Sequence, residues 1–385
     1  MKIFLSAGEP SGDIHGANLV RQLRRLHPEA EFVGFGGERM ERAGCQLLYP
    51  LCNLAVMWFA RVLANAPVFL RLLSQTDRFF RHQRPDAVVL IDYPGFNWIV
   101  ARRARFHGIP VFYFVPPQLW GWAGWRVKKM KRWVDHVLCT LPFEQDWYFD
   151  RGVQAHYVGH PYFDELSQQP LDREFLNRER ARGERLIGLL PGSRTQEVDK
   201  NLSTLLRAAA AIHEKHSDVR FSFACYRIDH CRRIADRLRG CSLPIELHHG
   251  KTAEIIAHAH ACIAVSGSVG LELLYRLKPT VVVYRIGRLD LKLCNLFKTS
   301  RFISLVNLLA DEEIFPEFLT DRCEAMRVAE HINRWLSDPA AYQEQCAQLR
   351  RLRDRVAVPG ACARAARFIL QTLGHREADI EPAAA

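Results

Sequence analysis

The sequence predicts an α/β protein with two open, parallel-sheet domains in tandem and a helical C-terminal tail. Two observations favour this fold class. Short apolar segments alternate with longer segments of helical spacing, and a polar stretch divides the alternation into two arrays of similar size. The length of 385 residues agrees with two to three domains, and the hydrophobic content of 48% is typical of globular proteins. Two such domains are expected to face each other across a cleft.

The first array occupies residues 1–165 and begins with a strand at Lys2–Ala7 and a helix at Ile14–Leu26. Further strands are predicted at Glu31–Phe35, Asp86–Ile91, Ile109–Val115 and His136–Thr140. Continuous apolar strands that alternate with helices are typical of a parallel sheet covered on both faces. The pattern therefore predicts a Rossmann-like N-terminal domain.

The second array occupies residues 185–355 and follows a charge-rich break at Asp164–Glu184 that has little apolar periodicity. Its predicted strands are Arg185–Leu190, Val219–Ala224, Pro244–His248, Cys262–Val265 and Thr280–Tyr284, with helices at 197–215, 228–239, 252–260 and 268–277. From about Asp321 the chain is Arg-rich and helical in pattern. We expect the tail at 356–385 to pack back on the protein or to be exchanged in a dimer.

The net charge indicates the kind of partner that the protein binds, and the cysteines indicate the compartment in which it works. The formal net charge of +11 predicts an acidic partner: nucleic acid, anionic lipid or a phosphorylated substrate. The 11 cysteines include no CxxC pair, which predicts free thiols in a reducing cytoplasm. The apolar run at the N-terminus is too short for a signal peptide. Polar residues such as Arg61 and Arg71 interrupt the apolar stretch Leu54–Leu73, so we do not expect it to cross a bilayer.

Two motifs with ionisable side chains follow strands of the first array. In AGEPSGDIHG (7–16), Ser11 or Asp13 can cap the next helix, but capping does not explain Glu9 and His15 at the end of a strand. In LIDYPGFN (90–97), Asp92 ends a buried strand, where open α/β sheets bind their ligands. It could act as a general base or simply cap the following helix.

Two loops in the second array are typical of phosphate binding. In LLPGSRTQEV (189–198), Gly192 and Ser193 open a helix N-terminus, and Arg194 supplies a fork of donors. SGSVGLE (266–272) repeats this pattern with Ser266, Gly267 and Ser268. There Glu272 could bind the hydroxyl pair of a ribose or be an exposed helix charge.

Two phosphate-type loops and a carboxylate suggest a nucleotide-sugar transferase with two Rossmann-like domains. No Asp-x-Asp pattern for a divalent metal is visible, so we predict neither a metal nor a cofactor. Arginine and helix N-termini would then stabilise the charge on the leaving group.

Over nearly its whole length the sequence resembles the lipid-A-disaccharide synthases, glycosyltransferases of family 19 with the GT-B fold. The segments that carry the resemblance are AGEPSGDIHGA (7–17), FVGFGGERMERAGC (32–45), LAVM (54–57), IDYPGFN (91–97), LPFE (141–144), YVGHP (157–161), LLPGSRTQEV (189–198), SGSVGLE (266–272) and SLVNLLA (304–310). The AGExSGD, LLPGSR and serine/glycine-LE segments, occurring together in this order, are highly specific for this family.

The resemblance implies transfer from UDP-2,3-diacylglucosamine to 2,3-diacylglucosamine 1-phosphate, with inversion, giving the β-1,6-linked disaccharide 1-phosphate of lipid A biosynthesis and UDP. It implies Asp92 as the catalytic aspartate, with Glu9 and Asp13 beside it. The substrate-binding residues that we predict are Ser11, His15, Asn97, Gly192, Ser193, Arg194, Ser266, Gly267, Ser268, Glu272 and Asn307.

Three features of the first array depart from the family pattern. Trp58 and Arg61 replace the glycine and glutamate of AVMG-xx-E, and Gly95 replaces the second aspartate of IDxPDF. The aromatic run at 118–125 is also longer than the usual W-x-W. All three lie in the first domain and so concern the acceptor. The alternative to a lipid-A-disaccharide synthase is therefore another GT-B enzyme: a transferase with a different lipid acceptor, or a UDP-sugar epimerase.

A basic, aromatic segment at Ala101–Val134 contains no acidic residue. Its cations are Arg102, Arg103, Arg105, Arg126, Lys128, Lys129, Lys131 and Arg132, and its tryptophans are Trp120, Trp122, Trp125 and Trp133. Cations attract anionic headgroups and tryptophan prefers the membrane interface, so this segment predicts a peripheral contact with the inner membrane from the cytoplasmic side. Leu54–Leu73 could add apolar contact.

Simpler interpretations exist for both segments: a solvated basic face for Ala101–Val134 and a core helix for Leu54–Leu73. Binding to single-stranded nucleic acid would also suit basic residues among aromatics, but it leaves both phosphate loops and Asp92 unexplained. We therefore expect no nucleic-acid partner, and the family resemblance favours a homodimer.

Overall fold

The computed structural model of the chain describes residues 1–54, 66–121, 123–298 and 300–375. Met57, Trp58, Arg61, Trp122 and residues 376–385, on which several expectations depend, lie outside the described residues. The chain divides into two compact units. The first contains Met1–Asp164 and the segment that begins at Val358, and the second contains Glu165–Ala357.

The first unit is built on a seven-stranded, entirely parallel sheet with the strand order β3-β2-β1-β4-β5-β6-β7. Its strands are β1 (Lys2–Ala7), β2 (Glu31–Phe35), β3 (Cys45–Tyr49), β4 (Ala87–Ile91), β5 (Val111–Phe114), β6 (His136–Cys139) and β7 (Ala155–Tyr157). Every residue of β4 and β5 is buried, as expected of central strands covered on both faces.

Helices cover both faces of this sheet. They are α1 (Pro10–Leu26), α2 (Glu38–Arg42), α3 (Ala66–Gln83), α4 (Pro94–Phe106), α5 (Val127–Trp133), α6 (Pro142–Phe149) and α7 (Pro161–Gln168), which crosses the boundary between the units. α1 begins four residues before its predicted start because Pro10 provides a favourable first helical position. The last helix, α17 (Ala361–Thr372), belongs to this unit and buries Ala365, Ala366 and Ile369 in the same core as Leu19 of α1.

The second unit is built on a six-stranded parallel sheet with the order β10-β9-β8-β11-β12-β13. Its strands are β8 (Arg185–Leu190), β9 (Val219–Cys225), β10 (Ile245–His249), β11 (Ala261–Val265), β12 (Thr280–Arg285) and β13 (Glu317–Thr320). Its helices are α8 (Arg173–Ala181), α9 (Thr195–Lys215), α10 (Ile228–Arg237), α11 (Thr252–His258), α12 (Val269–Tyr275), α13 (Arg288–Phe297), α14 (Leu305–Ala310), α15 (Ala325–Ser337) and α16 (Pro339–Val356). The predicted fold class, with two parallel-sheet domains and a helical C-terminal region, is confirmed.

Each sheet has one point at which its strand order reverses direction. In the first unit this switch point lies between β1 and β4, where Ala7 pairs with Ile91. In the second it lies between β8 and β11, where Leu190 pairs with Ala264. Open α/β sheets bind ligands in the crevice outside these carboxyl ends, so the four loops after these four strands define where to look for function.

The expected break at Asp164–Glu184 is instead largely helical, since it contains most of α7 and all of α8. Asp172 caps α8 by accepting the N–H of Phe175 at 3.0 Å. A buried ion pair of 2.7 Å between Arg220 of β9 and Glu179 holds α8 on the sheet. This stretch was difficult to predict because a charged residue such as Glu179 is normally exposed. Here Glu179 is buried because it forms an ion pair with Arg220.

Candidate active site

The two ionisable motifs of the first unit lie on opposite sides of its switch point. Glu9 is half-buried at the N-cap position of α1, directly after β1, and Ser11 is exposed in the first turn. Asp92 follows β4, the strand that pairs with β1. The fold therefore brings Glu9 and Asp92 to the same edge of the sheet, although 82 residues of sequence separate them.

The backbone at Asp92 is held in an uncommon conformation. Asp92 and Tyr93 both have positive φ, 46° and 48°, a left-handed conformation that is unusual for tyrosine. The carbonyl of Asp92 accepts hydrogen bonds from Asn97 Nδ2 at 2.7 Å and Tyr113 Oη at 2.8 Å. Strained backbone of this kind clusters at functional sites when its surroundings determine it.

The carboxyl group of Asp92 is suited to accept a proton. Burial raises its pKa above the usual aspartate range, while a hydrogen bond from the N–H of Tyr93 acts in the opposite direction. A carboxylate with a raised pKa is a better base than an exposed one. The alternative that Asp92 caps the next helix is not supported, because Tyr93 occupies the N-cap position of α4 and makes no side-chain cap.

Asn97 is fully buried, and its amide joins the two sides of the switch point. Its Oδ1 accepts the hydroxyl of Ser6 in β1 at 2.6 Å, and its Nδ2 donates to the backbone of Ser6, Ile91 and Asp92. Each polar atom of this amide has a protein partner. We therefore propose that Asn97 positions Asp92, in place of the direct substrate contact that the sequence suggested.

Asp13 caps a helix, but not the one that the sequence suggested. Its carboxylate accepts the N–H groups of Gly37 at 2.9 Å, Arg39 at 3.1 Å and Met40 at 3.0 Å, at the N-terminus of α2. A Cβ on Gly37 would lie 2.6 Å from this carboxylate, so a larger residue there would displace Asp13 from its position. α1 itself has no side-chain cap, and both Ser11 and Asp13 lie inside it.

His15 is buried near a second histidine. Its ring centroid lies 6.2 Å from that of His160, and burial lowers the pKa of His15 to about 4 and that of His160 to about 3. Both rings are therefore neutral at pH 7. Their neighbour Asp164 accepts the N–H groups of Gly360, Ala361 and Cys362 and so caps α17.

In the second unit, the loop after β8 presents a cation at a helix N-terminus. Gly192 has φ of +102°, which favours glycine, and Ser193 is exposed. Arg194 is the N-cap residue of α9, and its guanidinium bonds the carboxylate of Glu197 at 3.1 Å. Glu197 also accepts the N–H of Arg194, so this pair fixes the arginine beside the unpaired N–H groups of the helix.

The loop after β11 lies on the other side of the same switch point. Gly267 and Ser268 are exposed, and nothing lies within 4 Å of a Cβ placed on Gly267. The hydroxyl of Ser266 donates to the carbonyl of Ile303 at 3.0 Å. The loop therefore leaves room for a ligand at Gly267 and Ser268, while Ser266 is tied to the neighbouring segment.

Glu272 is buried, which excludes the interpretation as an exposed helix charge. Its carboxylate accepts a hydrogen bond of 2.9 Å from Nε of Arg276, the C-cap residue of α12. Asn307 is also fully buried: its amide bonds both the N–H and the carbonyl of Phe315 at 2.8 Å and the carboxylate of Glu317 at 3.0 Å. We propose that Asn307 shapes the loop between α14 and β13.

Four residues that hold these loops were absent from the predicted site: Tyr93, Tyr113, Glu197 and Glu317. Glu197 carried a signal, since a glutamate three residues after an N-cap is the pattern of a capping box. Glu317 accepts the N–H groups of Ile303 and Ser304 from another strand, a pairing that no local pattern indicates. Among the described residues, no group of three or more His, Cys, Asp or Glu could hold a metal ion.

The cations of the basic segment are largely exposed, although the segment also contains the buried strand β5. Of its eight cations only Lys129 is half-buried, and Arg103 and Arg105 pair with Asp77 and Asp135. Trp125 is 65% exposed, whereas the indole N–H of Trp120 donates to the buried carboxylate of Glu144 at 2.9 Å. The described part of Leu54–Leu73 has both a buried residue, Leu72, and an exposed one, Leu70. In the described part of the chain, no helix combines the length and apolar character needed to cross a membrane.

Comparison with known proteins identifies the family. A family model described as lipid-A-disaccharide synthetase matches residues 3–370. Lipid-A-disaccharide synthase of Geobacter sulfurreducens is 34% identical over 380 residues, covering 97% of each chain.

Solved structures agree on the fold at low sequence identity. The S. aureus MnaA–UDP structure superposes with a TM-score of 0.70 at 13% identity, covering 98% of both chains. The calicheamicin glycosyltransferase CalG4 has a TM-score of 0.61 at 15% identity, covering 97% of this chain and 98% of its own. With two Rossmann-like units of the GT-B type and a family match over almost its whole length, the chain belongs to the lipid-A-disaccharide synthase family of glycosyltransferases.

Proposed function

We propose that the protein transfers 2,3-diacylglucosamine from UDP to the 6-hydroxyl of 2,3-diacylglucosamine 1-phosphate, forming the disaccharide 1-phosphate of lipid A biosynthesis and UDP. The observation that carries this proposal is Asp92: a carboxylate with a raised pKa, held by a strained backbone at the switch point of the first unit. Family membership supplies the reaction, and Asp92 supplies the group that such a reaction needs.

The proposed step is a single in-line displacement that inverts the anomeric centre. The acceptor oxygen forms a bond to C1 of the donor sugar as the bond from C1 to the UDP oxygen breaks, and the hydroxyl proton passes to Asp92. General base catalysis of this kind contributes roughly 10²–10⁴-fold. Glu9, at the same edge of the sheet, is suited to orient the acceptor by hydrogen bonding.

The leaving UDP carries negative charge, which the loops of the second unit are suited to stabilise without a metal. Arg194 lies at the N-terminus of α9, where the helix dipole and unpaired N–H groups favour anions. The guanidinium of Arg194 has five N–H donors, and its bond to Glu197 uses only some of them. The same bond fixes the direction in which the remaining donors point. Gly267 and Ser268 offer room for the second phosphate, and Glu272 is proposed to bind the ribose.

These roles divide between the two arrays of the chain. We propose that residues 1–165 bind the lipid acceptor and that residues 185–355 bind the UDP-sugar. The exposed cations and Trp125 in Ala101–Val134 support a peripheral contact of the first unit with anionic lipid at the inner membrane. Such a contact would let the acceptor pass from the bilayer to Asp92 without full exposure of its acyl chains to water.

Product analysis tests the proposal directly. The purified protein is incubated with UDP-2,3-diacylglucosamine and 2,3-diacylglucosamine 1-phosphate in detergent micelles with EDTA, and products are identified by mass spectrometry. We expect the disaccharide 1-phosphate with equimolar UDP, and a β linkage by NMR. If UDP appears without disaccharide, or a 2-epimer of the sugar nucleotide appears, the acceptor assignment is wrong.

A further inference from the structure

The ring of Tyr93 fills the space directly over Gly8. A Cβ placed on Gly8 would lie 2.1 Å from Cδ1 and 2.4 Å from Cγ of Tyr93, so no side chain could coexist with the ring in this position. Gly8 belongs to the loop after β1, and Tyr93 to the loop after β4. The ring therefore joins the two loops of the switch point through one close contact.

The backbone of Tyr93 is as constrained as its ring. Tyr93 has φ of 48° and ψ of 58°, a left-handed conformation that L side chains rarely adopt. Its carbonyl accepts the N–H of Asn97 at 3.2 Å, and its N–H donates to the carboxylate of Asp92. Two contacts thus determine where this N–H points: the bond to Asn97 on one side and the ring on Gly8 on the other.

The side chain of Tyr93 is half-buried beside ionisable neighbours. Burial, Glu9 and the thiol of Cys52 all raise the pKa of its hydroxyl, so the phenol is neutral at pH 7. Cys52 lies close by, with its Sγ 3.4 Å from the carbonyl of Glu9 and its pKa raised to about 12. The half-buried ring therefore lies between the Asp92 loop and the Glu9 loop.

We infer that Tyr93 is a positioning residue for the transfer reaction: its ring, resting on Gly8, directs the carboxylate of Asp92 toward the acceptor hydroxyl. The inference rests on the proposed function. It predicts that the ring is needed for rapid transfer, whereas the phenolic hydroxyl is not.

The test compares Tyr93→Gly with Tyr93→Phe. Glycine accepts the left-handed backbone but removes the ring, and phenylalanine keeps the ring but removes the hydroxyl. Arg84→Gly is the matched control, because Arg84 is an exposed residue of the same unit that also has positive φ, 38°. For each protein, kcat is measured at saturating donor and acceptor over about pH 3–8. The values are expressed per folded protein, with the folded fraction measured by circular dichroism.

We expect Tyr93→Gly to lower kcat at least about tenfold, since a misplaced catalytic group costs up to roughly 10²-fold. Water would also reach Asp92, so the acid limb of its pH profile should move to lower pH, toward the value of an exposed aspartate. Tyr93→Phe should keep kcat within about threefold, and Arg84→Gly should match the wild type. If Tyr93→Gly only removed packing, it would lower the stability of the protein but would not move the acid limb of its pH profile.

A second comparison tests the contact itself. Gly8→Ala should lower kcat in the wild-type background, where the new methyl group displaces the ring, but should have little further effect in the Tyr93→Gly background. Equal losses in both backgrounds would show that the ring does not act through Gly8.

Three results would overturn the inference: Tyr93→Gly with kcat within about twofold of wild type, an unmoved acid limb, or equal losses in Tyr93→Phe and Tyr93→Gly. A wild type that forms no disaccharide overturns the proposed function, and this inference with it. An active wild type with an unaffected Tyr93→Gly variant overturns only the role of Tyr93.

Discussion

At the scale of single residues, Asp92 combines a raised pKa with a backbone conformation that few residue types tolerate. Asparagine is one of them, since Asn and Asp are both enriched at positive φ. Replacing the carboxylate by an amide therefore removes the base and leaves the loop geometry unchanged.

We predict that Asp92→Asn loses roughly 10²–10⁴-fold in kcat, because the amide cannot accept the proton of the acceptor hydroxyl. UDP affinity should be unchanged, as calorimetry would show. Asp146→Asn, an exposed aspartate of α6, is the control and should retain full activity. The wild-type rate should also fall on acidification at a higher pH than the ordinary aspartate pKa of about 3.9, because the base is active only when deprotonated. Turnover close to wild type in Asp92→Asn would remove Asp92 as the base.

Arg194 allows a matching prediction for the nucleotide. Arg194→Ala should weaken UDP binding about tenfold or more, since a hydrogen bond to a charged group contributes roughly 1.5–3 kcal/mol. The variant also removes the cation that pairs with the carboxylate of Glu197, so the negative charge of Glu197 would repel the phosphates. Arg239→Ala, an exposed arginine of the same unit paired with Asp236, is the control. An unchanged dissociation constant in Arg194→Ala, by calorimetry, would contradict its phosphate role.

At the scale of elements, two aspartates of the first unit cap helices that are distant in sequence. Asp13 in α1 caps α2, and Asp164 in α7 caps α17, each by accepting three backbone N–H groups. Each carboxylate also lies at the positive end of a helix dipole. Such a cap fixes both the start of the helix and its position against another element.

We predict that Asp164→Asn destabilises the protein by about 1 kcal/mol, because the amide has one acceptor oxygen and its NH2 group cannot accept the N–H of Cys362. Chemical denaturation at pH 7 measures this difference. Asp150→Asn, an exposed residue of the same unit, is the matched control. If Asp164→Asn unfolds at the same denaturant concentration as the control, the three bonds contribute no net stability.

The elements also show what could be predicted from sequence and why the rest could not. β1, β4, β8 and β11 were predicted because they are continuous apolar runs, and they are the four strands that carry the candidate site. β3, β7 and β13 were missed because they are short and partly exposed, and so lack both apolar continuity and strict alternation.

Individual site residues divide in the same way. Asp92 and Arg194 could be proposed from the sequence because each follows an apolar strand within a few residues. The capping role of Asp13 could not be predicted, because its partners lie 24–27 residues later in the sequence. Their position depends on where the chain places α2 after β2. For Asn97 and Asn307 nothing in the sequence indicated that the hydrogen-bonding atoms of the amide already have partners within the protein.

At the scale of the whole molecule, the order of the chain differs from the order of the units. The chain leaves the first unit within α7, completes the second, and returns at Val358 to add α17 to the first. Buried residues of α17, including Cys362, Ala365 and Ile369, belong to the core that also contains strand β1. The first unit is therefore discontinuous, whereas the second is a single segment.

This difference predicts how fragments behave. A fragment of residues 1–164 lacks α17, so it should expose apolar surface on α1 and bind hydrophobic dyes or aggregate. A fragment of residues 165–357 should give a cooperative thermal transition. Adding a synthetic peptide of residues 358–375 to the first fragment should restore structure, measured by circular dichroism. A stable, cooperative 1–164 fragment without the peptide would show that α17 contributes little.

The late position of α17 also has a consequence for synthesis on the ribosome. The first unit emerges first, yet the helix that completes its core is made only after Glu165–Ala357 has been translated, ~10–40 s later at ~5–20 residues per second. Throughout that interval the nascent chain presents the uncovered side of α1 to chaperones and to other nascent chains. Conditions that slow translation of the second half of the message should therefore lower the yield of folded protein, because the first unit stays incomplete for longer.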